Sequence, residues 1–365
     1  MIYLDANATE PLRPEAGQAA MAAMGLGNPS SIHAAGRAAR RVLEDARESV
    51  ARFFGADSKD VIFCSGATEA NALAVHALGA GRVVLRGATE HDAIRAATPG
   101  AEIIPVDRNG QADLVALEAS LAADQNQALV CLMAANNETG VLHDIAAAGR
   151  ICAAHGALLH VDAVQAVGRD NRDWFGLGAA SIAVSGHKFG APMGAGALIV
   201  SAGRAVTPLL QGGGQEQGRR GGTPALPAIA GLAAALGAPY EGAKIAAYRD
   251  EIEAFCVGLG ALVLGTGAPR LPNTSCLALP GVRADTQLIA LDMGGIAVSA
   301  GSACSSGKVA ASHVLEAMGA GNLAGQAIRV SLPWNVAADA VPAFCAAYEK
   351  MAARAGLEKL RLGAA

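Results

Sequence analysis

Ser181-Ile182-Ala183-Val184-Ser185-Gly186-His187-Lys188 holds the plan of the chain in one stretch: a short apolar run ends, and polar, reactive side chains begin at once. The pattern recurs upstream. Val61 to Cys64 leads into Ser65-Gly66-Ala67-Thr68-Glu69, Arg82 to Leu85 into Thr89-Glu90-His91, Ala128 to Ala134 into Asn136-Asn137-Glu138-Thr139-Gly140, and Ala157 to Val161 into Asp162-Ala163-Val164-Gln165. Glu102 to Pro105 and Ala197 to Val200 add two further apolar runs. Ala-rich helical stretches separate most of these runs from about residue 15 to 240, the pattern of crossover units that build a mostly parallel sheet in an α/β fold. Ligands of open α/β sheets bind beyond the carboxyl ends of the strands, so the polar clusters are expected to converge on one site.

The texture changes from about residue 243. Lys244 to Leu264 reads as a helix, and short runs at Ser275 to Leu279, Ala297 to Ser299 and Ile328 to Leu332 alternate with further helical stretches. The expected division is a large domain over 15–242 and a smaller α/β domain formed by 1–14 and 243–365, the latter carrying Cys304. The Gly-rich segment Gln211 to Gly222 lacks apolar periodicity and is expected to be an ordered loop. Ala225 to Pro239 is too short to span a bilayer, and Pro227 is expected to break it. No repeat of solenoid length is visible.

Composition narrows the function. With 52% hydrophobic and 16% charged residues the chain has ample material for a core and does not read as disordered. Its formal charge of −4 leaves no basic footprint for nucleic acid, so a small molecule or another protein is the expected partner. Met1-Ile2-Tyr3-Leu4-Asp5 resembles no export signal, which makes the cytoplasm the expected location and a membrane role unexpected. The seven cysteines form no C-x-x-C pair, arguing against a disulfide framework or a zinc site. Six of them, Cys64, Cys131, Cys152, Cys256, Cys276 and Cys345, read as buried filler.

Three features carry chemistry. Ser65-Gly66-Ala67-Thr68-Glu69 follows a strand and opens the amphipathic stretch Ala70 to Leu78, placing backbone N–H groups at a helix N-terminus where an anion can sit. A plain helix cap is its structural alternative, but the segment contains neither a dinucleotide nor a P-loop fingerprint, which favours a single phosphate monoester. Lys188 lies between an apolar strand and a Gly-rich turn, where desolvation lowers an amine's pKa and favours Schiff-base chemistry. Asp162 ends another apolar strand, placed to keep a pyridine nitrogen protonated. A phosphate cradle, a strand-end lysine and a strand-end aspartate together specify pyridoxal 5'-phosphate.

With these residues in place, the chain resembles the cysteine desulfurases, which belong to the class V aminotransferase group of fold-type I pyridoxal-phosphate enzymes. The resemblance rests on Tyr3-Leu4-Asp5 with Ala8-Thr9 and Pro11, Asn28-Pro29-Ser30-Ser31 with His33, the five strand-end clusters above, and Ser299-Ala300-Gly301-Ser302-Ala303-Cys304, in order and spacing. It implies that Lys188 carries the cofactor, Asp162 faces the ring nitrogen, Gln165 bonds the phenolate oxygen and His91 stacks on the ring. Ala67, Thr68, Ser185 and His187 would hold the phosphate, joined by Thr223 from the second subunit of a homodimer. Asn137 and Arg329 would grip the carboxylate of L-cysteine, and Cys304 would take the sulfur as a persulfide while Lys188 and His91 move protons. The sulfur would pass to an iron-sulfur scaffold or a sulfur-carrier protein. No metal is implied.

Each residue also has a structural alternative: His91 as a helix cap, Arg329 paired with a carboxylate, Ser185 and Asn137 as simple hydrogen-bond partners. Two segments depart from the family pattern. Arg219-Arg220-Gly221-Gly222-Thr223 replaces a common Arg-Ser-Gly-Thr, and Ala311 stands where relatives often have proline. The Gly-Ser-Ala-Cys context resembles the long-loop subgroup that serves iron-sulfur scaffolds. A related selenocysteine lyase or transaminase, with Cys304 incidental, remains the alternative reading.

Overall fold

A computed structural model of the chain describes residues 1–123, 127–301 and 311–355. Its centre is a seven-stranded sheet in the order Val61–Cys64, Gly196–Val200, Ser181–Ser185, Leu158–Asp162, Ala128–Met133, Val83–Gly87 and Glu102–Ile104. The seven runs expected between Val61 and Val200 are the strands of this sheet, with ends shifted by a residue or two. Neighbours from Ser181–Ser185 to Glu102–Ile104 pair in parallel, while Gly196–Val200 is antiparallel to both of its neighbours. The reversal follows from chain length: the link from Lys188 to Gly196 is too short for a crossover helix, so the chain must turn back. Helices cover both faces, and the central strands are accordingly buried throughout.

The long helix Ala34–Phe54 begins on His33, whose Nδ1 accepts the Gly36 N–H at 3.2 Å, and ends on Gly55 at φ 65°. Pro227 does not break its stretch: it sits in the first turn of the helix Leu226–Ala235, where a missing N–H costs nothing. That helix lies against Pro14–Ala23 so closely at Gly231 that a Cβ there would stand 2.9 Å from the Ala16 carbonyl oxygen. The helix expected over 244–264 also differs, running Gly242–Val257 and giving way to the strand Leu262–Val263. Gly258 and Gly260, the latter at φ 89°, end the helix.

Apolar side chains gather in two principal cores. One, from Ala16 to Ala235 with Leu271, packs on the seven-stranded sheet. The other joins Leu4 to Ile245, Cys256, Leu277, Ile328, Phe344 and Tyr348, around the antiparallel strands Leu262–Val263, Thr274–Ala278 and Ala327–Ser331. Ile2–Tyr3 pairs in parallel with Ile296–Ala297, tying the N-terminal segment to this second core. The six cysteines read as filler are all buried, and no helix among the described residues is long and apolar enough to cross a membrane.

Candidate active site

The strand ends open on one cavity of about 430 Å³, within the size range of small-molecule sites. Ser65, Ala67, Thr68, His91, Asn137, Asp162, Gln165, Ser185, His187, Lys188 and Arg329 all line it. Two expected site residues do not. Thr223 is exposed and lines a separate small recess with Ser65 and Arg220, and Cys304 lies outside the described residues. On the two sides of that segment, Ser299, Gly301 and His313 line the cavity wall.

Lys188 closes the short turn that follows Ser185, and its amine donates to the carbonyl oxygens of Asn7 at 2.8 Å and Ala8 at 2.9 Å. Burial, with help from the nearby Arg329 and Arg169 cations, lowers its pKa to about 8. Asp162 is the last residue of its strand and is buried; its carboxylate accepts from Asn71 Nδ2 at 2.7 Å and from the Val164 N–H at 3.0 Å. Burial pushes this carboxyl up, and the Val164 N–H, His91, Asn71 and Lys188 pull it back.

Gln165 donates to the Asn7 carbonyl at 3.0 Å and accepts from Arg169 at 2.7 Å, and Arg169 in turn pairs with Glu10 at 2.6 Å. His91 caps the helix Asp92–Ala97, its Nδ1 accepting the Ala93 N–H at 3.1 Å. This is the capping alternative, and it does not compete with a place at the site: a neutral ring that accepts at Nδ1 carries its proton on Nε2. His187 meets Thr9 Oγ1 at 3.0 Å through Nδ1, and burial beside Lys188 lowers its pKa to about 4.

The helix Ala67–Leu78 starts at Gly66, which has no side chain to cap it, leaving first-turn N–H groups toward the cavity. Gly196 passes behind so closely that a Cβ on it would come within 2.7 Å of the Gly66 Cα. Glu69, in the same turn, accepts the Ser65 N–H at 2.8 Å and is bound by Arg220 through Nε at 2.7 Å and Nη2 at 3.1 Å. Thus Arg220 of the divergent Arg-Arg-Gly-Gly-Thr segment braces the cradle's helix.

Arg329 reaches the cavity from Ala327–Ser331, its Nη2 on Asp5 Oδ1 at 2.7 Å and its Nη1 on the Asn137 carbonyl at 3.2 Å. Its Nε is buried with no partner among the described residues, a donor that suits an incoming carboxylate. Sequence reasoning missed Asn7, Asn71 and His313. Asn71 left a trace, as a polar residue one turn past the cradle among Ala70, Ala72, Leu73 and Ala74. Asn7 left little, because what it does depends on contacts far along the chain.

An anion cradle, a buried carboxylate and a desolvated lysine at the strand ends of one mostly parallel sheet fit a fold-type I pyridoxal-phosphate enzyme. The family model described as aminotransferase class-V matches residues 2–344. A cysteine desulfurase from Cereibacter sphaeroides is 40% identical over 359 residues, which cover 93% of this chain and 92% of that protein. Cysteine desulfurase NifS of Azotobacter vinelandii is 37% identical, covering 87% of this chain and 84% of the relative. The solved NifS-like protein from Rickettsia africae superposes with a TM-score of 0.90 at 34% identity, over 96% of this chain and 99% of that one. The chain belongs to the class-V aminotransferase family and, within it, to the cysteine desulfurases. Pyridoxal 5'-phosphate is the cofactor of this family, and the residues lining the cavity suit its three chemical features: a phosphate, a ring nitrogen and an aldehyde.

Proposed function

We propose that the chain converts L-cysteine to L-alanine and retains the sulfur as a persulfide on Cys304. The observation that carries this reading is the meeting of the Lys188 amine and the Asp162 carboxylate in one cavity, in a chain that keeps Cys304 beside it in sequence. Lys188 would hold the cofactor covalently, Asp162 its ring nitrogen, Gln165 its phenolate oxygen and His91 its face. Ala67, Thr68, Ser185 and His187 would bind the phosphate, with Thr223 reaching in from the second protomer of a homodimer. When bound, pyridoxal phosphate supplies an electron sink that draws charge from the substrate.

The remaining steps belong to side chains of this chain. Arg329 and Asn137 bind and orient the substrate carboxylate. The Lys188 amine, with its lowered pKa, accepts and returns protons at the substrate, and His91 Nε2 stands as a second proton carrier. The Cys304 thiolate attacks the substrate sulfur: a sulfur–sulfur bond forms as the carbon–sulfur bond breaks, and the carbon skeleton leaves as alanine. The persulfide then passes to an iron-sulfur scaffold or a sulfur-carrier protein in the cytoplasm. We further propose that residues 15–242 form the large cofactor domain and that 1–14 with 243–365 form the small one.

Intact-protein mass spectrometry after incubation with L-cysteine tests this directly. One added sulfur atom on Cys304, with alanine released, is expected; Cys304→Ala keeps the cofactor absorption and loses both products. Sulfide production at the full rate by Cys304→Ala refutes the proposal and favours a lyase in which Cys304 is incidental.

A further inference from the structure

Behind Asp162 a line of polar groups runs into the protein where apolar side chains would otherwise pack. Asp162 Oδ2 lies 2.7 Å from Asn71 Nδ2, Asn71 Oδ1 lies 2.9 Å from His160 Nε2, and His160 Nδ1 lies 2.7 Å from Ser181 Oγ. Asn71, His160 and Ser181 are each 0% exposed. His160 and Ser181 face each other on adjacent parallel strands, and Asn71 comes from the helix whose first turn forms the anion cradle. Three buried polar residues cost more to bury than the apolar side chains around them, so their presence asks for a use.

The direction of every bond is fixed by chemistry. A carboxylate only accepts, so Asn71 must turn its amide nitrogen to Asp162 and its oxygen to His160. That oxygen also only accepts, so His160 Nε2 must donate. Burial lowers the His160 pKa to about 4, so the ring is neutral and has a single proton. Its Nδ1 is therefore an acceptor, and the Ser181 hydroxyl donates to it. Ser181, His160 and Asn71 thus point their donors one way, toward Asp162, and bonds aligned in this manner polarise one another.

We infer that Asn71, His160 and Ser181 are positioning residues which act through this one-way chain to hold Asp162 as an anion against the ring nitrogen of the bound cofactor. The inference rests on the pyridoxal-phosphate reading of the site. It goes further by placing control of the cofactor's electronics partly in His160 and Ser181, which do not line the cavity. Because Asn71 and the anion cradle share one helix, the same element sets the spacing between the cradle and the Asp162 carboxylate.

The test uses the holoenzyme loaded with pyridoxal phosphate carrying ¹⁵N at the ring nitrogen, read by NMR at neutral pH. In the wild-type protein a protonated ring nitrogen is expected. His160→Phe removes the donor and should move the ¹⁵N signal toward the unprotonated form while raising the cofactor's dissociation constant by up to roughly tenfold, about the worth of one hydrogen bond between neutral groups. His160→Gln, whose amide N–H can donate to Asn71, should restore both readouts in part, which a purely packing role would not do. Ser181→Ala makes a smaller change in the same direction and carries the test if His160→Phe fails to fold. Unchanged ¹⁵N signals in the variants that fold, with a protonated wild type, overturn the relay and leave the proposed function standing. If the wild-type protein captures no pyridoxal phosphate, the proposed function falls, and the relay with it.

Discussion

Asp5 and Arg329 meet on the cavity wall, carboxylate to guanidinium at 2.7 Å, although 324 positions separate them in the chain. Asp5 also accepts from Ser299 Oγ at 2.7 Å, so one carboxylate holds the arginine and steadies the strand exit that leads toward Cys304. The pairing does not withdraw Arg329 from the site, because its side chain still lines the cavity. Arg329→Lys replaces a planar fork by a point charge and should raise the KM for L-cysteine by roughly ten- to 150-fold, corresponding to about 1.5 to 3 kcal/mol. Asp5→Asn should raise it less, with cofactor affinity unchanged in both variants. Steady-state kinetics beside a cofactor titration separates the two effects.

Cofactor capture should depend on pH through Lys188. Only the neutral amine attacks an aldehyde, and the Lys188 pKa lies at about 8, below the ordinary lysine value. Capture by apoprotein should therefore be near its plateau above that pH and slow by about tenfold for each unit below it. Stopped-flow absorbance over a pH series reads this; a plateau reached only near pH 10 would show that burial does not shift the amine. Lys188→Arg should abolish the covalent band at every pH.

Arg220 should matter to the phosphate without touching it. Its removal leaves the Glu69 carboxylate uncompensated in the first turn of the anion-binding helix. Arg220→Ala is expected to weaken pyridoxal phosphate binding by about 1 to 2 kcal/mol, or roughly five- to thirty-fold. Binding of pyridoxal, which lacks the phosphate, should hardly change. Adding Glu69→Gln to the first substitution should recover part of the loss, and isothermal titration of the four proteins closes the cycle.

Arg47 and Glu216 form a buried bidentate pair at 2.6 and 2.8 Å, and Glu216 also accepts the Phe63 N–H at 2.9 Å beneath the first sheet strand. Glu216→Ala leaves the buried Arg47 guanidinium only the Val61 carbonyl at 3.0 Å and the exposed Glu44 at 3.1 Å, and should cost about 3 kcal/mol, visible as a large fall in melting temperature. The double replacement Arg47→Met with Glu216→Leu should lose less than the single one, because it strands no charge.

The strand-end logic was readable because it is local: in Ser181 to Lys188 the change from apolar to reactive residues occurs within the stretch itself. His160 shows where that logic failed. It sits in Leu158-Leu159-His160-Val161-Asp162, and the run reads as apolar although its central residue is a fully buried histidine. The partners that explain it, Asn71 and Ser181, come from other elements and leave no spacing pattern. Pro227 was misread because a proline's effect depends on its position in the helix, and the first turn tolerates it. Asn7 gives no local signal between Asp5 and Thr9, since its carbonyl accepts from Lys188 and Gln165 and its side chain bonds Asn137, Thr274 and Asn273, all far along the chain.

That carbonyl joins the site to the second core. The amine of Lys188 rests on Asn7 and Ala8, and the segment bearing them is held by Leu4 in a core whose other members extend to Ala352. Ser331 donates to the Leu4 carbonyl and accepts from the Ala6 and Asn7 N–H groups, so this segment is seated only when the strand Ala327–Ser331 is in place. The seat of Lys188 in the large sheet is thereby built by the second core, and loosening that core would leave the lysine without the frame that holds it.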